Sequence, residues 1–171
     1  MCQVMFYREF KSLLFVSALA VLFLSSCQST QNFTSPLPAE YSISASKSSA
    51  SGYKNVKRVK QYEFAHRDVP ASFDGCRLAF VSDLHYRSLL KEEGLGDITR
   101  LLNDLKADAL LIGGDLHEGC GYVPDVIAAL GAVKTPLGTY AVLGNNDYEA
   151  CYDDILKEME RQGIRLLEHK V

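Results

Sequence analysis

The sequence predicts an α/β fold in which strands and helices alternate around a parallel sheet. Two observations carry this. Short apolar runs at 77–82, 109–113 and 139–143 are too brief for helices and too continuous for one-sided strands, so they read as buried strands. The segments between them place apolar residues at helical spacing. That alternation is the signature of βαβ units. No internal repeat is found.

Taken in order, residues 56–65 read as an outer strand, and 77–82 as the first buried strand. A helix follows, with Asp97 expected at its N-cap and Ile98, Leu101, Leu102 and Leu105 on one face. Residues 109–113 form the second buried strand. The next helix starts around Pro124, which suits a first helical turn, and repeats the spacing with Val123, Val126, Ile127 and Leu130. Residues 139–143 form the third buried strand. A third helix carries Tyr152, Ile155, Leu156 and Met159 and stops at Gly163, after which Ile164 to Leu167 read as a new strand. The apolar helix faces are core.

Composition fits a globular protein over most of the chain: 47% of residues are apolar and 23% charged. A formal net charge of -3 argues against a nucleic-acid surface. The basic residues Lys54, Lys57, Arg58 and Lys60 alternate with Val56 and Val59, so they read as the solvated face of an edge strand.

The N-terminus reads differently. Arg8 and Lys11 precede an apolar stretch from Leu13 to Leu24, a positive flank and short h-region as in a secretory signal. The stretch is too short for a membrane-spanning helix. It ends in Leu24-Ser25-Ser26-Cys27, similar to a bacterial lipobox, with residues 1–26 as the signal and Cys27 as the lipidated first residue. Acyl chains contribute about 0.8 kcal/mol per buried methylene, and several make a stable anchor. A plain signal peptide or an uncleaved anchor is the alternative. Residues 27–52 are serine-rich, with Pro36 and Pro38, and are expected to form a flexible tether. Such a tether spans roughly 25–30 Å. The expected location is therefore outside the cytoplasm, anchored to a bacterial membrane, with the folded domain at 53–171.

Each buried strand is followed by polar residues suited to metals: Asp83-Leu84-His85, Gly113-Gly114-Asp115 and Gly144-Asn145-Asn146-Asp147. Open α/β sheets bind ligands beyond the carboxyl ends of their strands, so the three clusters should meet. In an extended segment Asp83 and His85, two apart, would face the same way. The Gly113-Gly114 pair lets the chain turn sharply and approach a neighbour. Carboxylate, imidazole and amide oxygen suit Mn, Fe, Zn or Mg, whereas a structural zinc site would favour thiolates. Asp and Asn are also common turn residues, so it is the repetition in one structural position that points to a metal site.

In order and spacing these motifs resemble D-x-H, G-D and G-N-H-D/E, the first three motifs of the calcineurin-like metallophosphoesterases. The resemblance runs from about Tyr53 to the C-terminus. It implies a two-metal phosphoesterase: Asp83 and His85 on the first divalent ion, Asp115 bridging both, Asn145 on the second, and Asp147 steadying the turn through hydrogen bonds. It implies phosphate-ester substrates, hydrolysed by an activated water without a covalent enzyme intermediate. It also implies a fold of two packed sheets with helices outside, of which this span would form the first half.

The sequence departs from the family twice. The third motif has Asn146 where the family has a histidine that steadies or protonates the leaving group; asparagine donates a hydrogen bond but no labile proton. Substrates with good leaving groups should suffer least. The resemblance to exported or membrane-associated members of the family implies phosphodiesters or lipid-linked phosphates rather than phosphoproteins. Asp115-Leu116-His117 repeats the Asp-x-His pattern, so His117 is a candidate replacement, against the simpler reading of a loop histidine. His66 reads as a surface histidine. The second departure is the absence of the family's later histidine motifs: beyond Asn145 only His169 remains. The chain is expected to be a partial one, completed by a complementing C-terminal segment. The competing function is a catalytically inactive surface lipoprotein. A nucleotide-binding Rossmann domain would need G-x-G-x-x-G after its first strand, which is lacking.

Of the cysteines, Cys120 and Cys151 fall in loops at the proposed site end of neighbouring strands. They are placed either to form a disulfide in an oxidising compartment, with Cys76 left over, or to remain thiols. None is assigned to metal.

Overall fold

The computed structural model describes residues 3–8, 42–48, 52–66, 68–148 and 151–168. They form one seven-stranded sheet in the order β2-β3-β1-β4-β5-β6-β7. The strands are β1 (Gln3–Arg8), β2 (Ser42–Ser48), β3 (Val59–Ala65), β4 (Arg77–Ser82), β5 (Ala109–Ile112), β6 (Gly138–Ala141) and β7 (Arg165–Leu166). The helices are α1 (Glu92–Asp104), α2 (Val123–Gly131) and α3 (Tyr152–Gln162).

From β4 to β7 the alternation is as expected. Each strand is parallel to the next, and one helix fills each interval. Alternate strand residues Ala79, Val81, Leu110, Ile112 and Ala141 are buried with Ile98, Leu102, Val126, Ile127, Leu130, Ile155 and Met159. The intervening Leu78, Phe80, Leu111 and Tyr140 stay half-buried. The sheet is thus packed tightly on one face and less fully on the other.

Several boundaries differ from expectation. Asp97 is not an N-cap: α1 begins at Glu92, with Glu92 and Glu93 favourably placed in the first turn. Asp97 lies inside the helix, where its Oδ2 accepts hydrogen bonds from the Asn55 backbone N–H (3.0 Å) and side-chain amide (2.8 Å). A capping-type residue thus ties another segment to the helix instead of opening it. Pro124 and Gly163 behave as expected: the first lies in the opening turn of α2, and the second closes α3 at φ +70°. His66 is buried rather than on the surface, and its Nδ1 accepts the Asp68 N–H at 3.3 Å.

The N-terminal half of the sheet differs more. The strand at 59–65 is not the edge, because β2 pairs with it antiparallel on the outside. β2 falls within the stretch expected to be a tether, where Ser42–Ser48 lines up residue for residue with Val59–Ala65. β1 falls within the expected signal and lies between β3 and β4, parallel to the first and antiparallel to the second. Backbone pairing with a neighbour supplies what the sparse apolar pattern at 42–48 does not advertise. The apolar stretch 13–24, Cys27 and His169 lie outside the described residues. No helix among the described residues is long and apolar enough to cross a membrane.

Candidate metal centre

The segments leaving β4 and β5 stay zipped together beyond the strands. Asp83 N–H donates to the Gly114 carbonyl, His85 N–H to Asp115 and Tyr86 N–H to Leu116, each at 3.0 Å. Glu118 N–H returns to the Tyr86 carbonyl at 3.2 Å. Asp83, His85 and Asp115 nevertheless take left-handed backbone angles, with φ of +54°, +40° and +54°. Non-glycine residues adopt this region rarely, and clusters of them mark functional sites. The expected convergence of Asp83 and His85 therefore arises differently: the two are gathered by left-handed turns, because the chain is no longer extended there.

The result is a compact donor set. One ligand atom each from Asp83, His85 and Asp115 lies within 4.8 Å of the others, all partly accessible. Two carboxylate oxygens and an imidazole nitrogen at that spacing fit a divalent ion of the Mn, Fe, Zn or Mg type.

The third cluster joins through glycine. Gly114 and Gly144 meet so closely that a Cβ on Gly114 would lie 2.1 Å from the Gly144 nitrogen. Gly114 also has φ +86°. Asn146 N–H donates to Asp115 Oδ1 at 3.1 Å. Asn145 is exposed and donates through Nδ2 to Asn146 Oδ1 at 2.9 Å.

Behind the donor set sits Asp147, fully buried. Its Oδ2 accepts the Asp115 N–H (2.8 Å) and the Gly144 N–H (2.9 Å), and its Oδ1 accepts the Leu116 N–H (3.2 Å). One carboxylate thus ties the β5 loop to the β6 loop.

His117 belongs with this buried layer rather than with the open donor set. It is 3% exposed, and its Nδ1 accepts the Gly119 N–H at 3.0 Å. Its Nε2 is directed at Asp147 Oδ1, 3.7 Å away. A nitrogen enclosed at this depth does not suit proton delivery to a leaving group, so the replacement expected from the repeated Asp-x-His pattern does not fit its position.

Sequence reasoning missed Glu118. Its Oε1 lies 2.6 Å from His85 Nδ1. No local signal pointed to it: the parallel pairing of Tyr86 with His117 sets Glu118 level with Arg87, and its side chain reaches back to His85. The loops are also joined covalently, since Cys120 and Cys151 form a disulfide with Cα atoms 5.1 Å apart, leaving Cys76 free. Beside Asp147, Tyr148 stacks on Tyr152 and hydrogen-bonds Glu168, whose carboxylate pushes the Tyr148 phenol up to about 12.

Comparison with known proteins agrees with this geometry. Residues 76–168, more than half of the chain, match the family described as calcineurin-like phosphoesterase. A "Transmembrane protein with metallophosphoesterase domain" of Danio rerio is 32% identical over 92 residues, covering 53% of this chain and 21% of that protein. An "Uncharacterized metallophosphoesterase" of Aquifex aeolicus (strain VF5) is 28% identical over 111 residues, covering 64% of this chain and 42% of that protein. One of Helicobacter pylori (strain ATCC 700392 / 26695) is 29% identical over 92 residues, 53% of this chain and 25% of that protein. The chain thus spans less than half the length of each of these relatives. The matched span contains every residue of the donor set and the buried carboxylate behind it: the chain belongs to the calcineurin-like phosphoesterase family.

Proposed function

We propose that the chain provides the first part of a two-metal phosphoesterase site. Asp83 and His85 hold one divalent ion, Asp115 bridges to a second, and Asn145 contributes to that second ion. The observation that carries this reading is the mutual approach of Asp83, His85 and Asp115 within 4.8 Å at the sheet's carboxyl end. Such ions, when bound, neutralise phosphate charge and activate water. Asp115 aims its carboxylate, Asn146 N–H restrains Oδ1, and Asp147 holds the backbone of both loops.

The substrates of this reading are phosphomonoesters or phosphodiesters, with lipid-linked phosphates favoured by an N-terminus written for export. The half-buried sheet face carrying Leu78, Phe80, Leu111 and Tyr140 would receive a complementing C-terminal segment, which would complete the ligand set. The lipid anchor at Cys27 belongs to the same reading. Cleavage before Cys27 would remove β1, leaving β3 and β4, which run antiparallel to one another through it, to pair directly. Intact mass of the mature protein and radiolabelled palmitate incorporation, lost in Cys27→Ser, test the anchor.

The site itself is tested by titrating Mn²⁺ into the full chain by calorimetry and assaying hydrolysis of bis(p-nitrophenyl) phosphate. Asp115→Asn should lower metal affinity by more than about 100-fold, since removing a direct ligand exceeds the effect of losing a neighbour of one. Binding and turnover unchanged in that variant would sink the assignment. Binding without turnover would point to a missing segment.

A further inference from the structure

We propose that Glu118 is a positioning residue that fixes the tautomer and ring orientation of His85, so that Nε2 is the nitrogen offered to a metal. This rests on the metal site proposed above, but its core claim concerns two side chains of this chain alone.

The 2.6 Å contact between His85 Nδ1 and Glu118 Oε1 needs a proton between them, because a carboxylate facing a bare nitrogen lone pair would be repelled. Glu118 is acceptor-only when ionised, so the proton belongs on Nδ1. Asn146 Nδ2 lies 3.4 Å from the same nitrogen. Two donors cannot bond each other, so this approach is a packing contact. Nδ1 is thus committed, and in the neutral imidazole Nε2 keeps its lone pair. A metal-ligating histidine that donates its other ring N–H to a carboxylate gains both orientation and basicity.

The backbone supports the same role. His85 has φ +40°, an unfavourable conformation that neighbours must hold in place. Glu118 is anchored to the adjacent residue through its N–H to the Tyr86 carbonyl. Its side chain crosses from the β5 loop to the β4 loop beside the cluster, while Asp147 ties β5 to β6 from below. Three loops are therefore cross-braced by two carboxylates, neither of which belongs to the Asp83, His85 and Asp115 set.

The test uses the metal-free full chain and long-range ¹H–¹⁵N NMR of the imidazole rings, under mildly alkaline conditions that keep them neutral. Wild type should show His85 protonated on Nδ1. Glu118→Ala should move the population toward the Nε2–H form, and Glu118→Gln, whose amide oxygen can still accept, should largely restore it. Mn²⁺ affinity should fall about 10- to 100-fold in Glu118→Ala and recover in Glu118→Gln. An unchanged tautomer in Glu118→Ala, or equal affinity losses in Ala and Gln, would overturn the positioning role; the second result would make Glu118 a direct ligand. The tautomer reads Glu118 without metal, whereas the wild-type titration reads the metal site, so the two ideas fail separately.

Discussion

Gly144 stands against Asp115 so closely that a Cβ on it would lie 2.2 Å from Asp115 Oδ1. The bridging carboxylate of the proposed site is therefore seated against a bare backbone. Gly144→Ala should push that carboxylate aside, costing about 1–3 kcal/mol in stability, as overpacking does, and more than about 10-fold in Mn²⁺ affinity. Gly114→Ala should be worse, since its Cβ would strike the Gly144 nitrogen and its φ is positive. Thermal denaturation alongside metal calorimetry measures both, and an alanine at 144 with wild-type affinity would refute the close seating.

Asp147 should matter for stability more than its distance from any substrate suggests. Its two oxygens accept three backbone N–H groups from both loops. In Asp147→Asn one oxygen becomes an NH₂ facing a donor, leaving a buried N–H unsatisfied. Hydrogen bonds to charged groups contribute about 1.5–3 kcal/mol each, so a loss of about 2–4 kcal/mol is expected in urea denaturation.

The Cys120–Cys151 bridge closes a loop of sequence separation 31. Chain-entropy reasoning gives it about 3–4 kcal/mol. Reduction, or Cys120→Ser with Cys151→Ser, should lower the melting temperature and loosen the β5 and β6 loops together. Equal melting curves with and without reductant would show that the bridge does not form in solution.

Asp97 predicts an acid-side signature. The backbone N–H and amide of Asn55, and then Arg100, hold its carboxyl below the usual range. A depressed folded value stabilises above the ordinary pKa of about 3.9 and loses that stabilisation as pH falls through the folded value. Asp97→Asn should be less stable than wild type at neutral pH, and the difference should shrink as acid is added. A difference constant from neutral pH to the acid limit would contradict this.

Asn146 sets the expected substrate pattern under the proposed function. Asn146→His would introduce a group able to carry a proton. Hydrolysis of esters with poor leaving groups should rise by about 10²-fold, within the range of acid–base assistance. Esters of p-nitrophenol should change little. An equal effect on both classes would place the role of this position in binding.

Much of this protein was decided by local sequence. The buried strands at β4, β5 and β6 followed from short apolar runs, because a strand covered by helices has few polar options. The faces of α2 and α3 followed from spacing, and Gly163 from its tolerance of positive φ. Asp83, His85 and Asp115 could be named because each ends a strand that must open at the same edge. Tertiary structure decided the rest. Asp97 left the cap for Asn55, His66 and His117 went inside, and β1 and β2 joined a sheet their sequences did not announce. Glu118 reached His85 through a side-chain contact between two loops that no local pattern encodes. The physical reason is the same in each case. Apolar periodicity is a property of one segment and can be read within it, whereas a hydrogen-bond partner or a strand neighbour is chosen among distant segments by which pairing leaves the fewest buried groups unsatisfied.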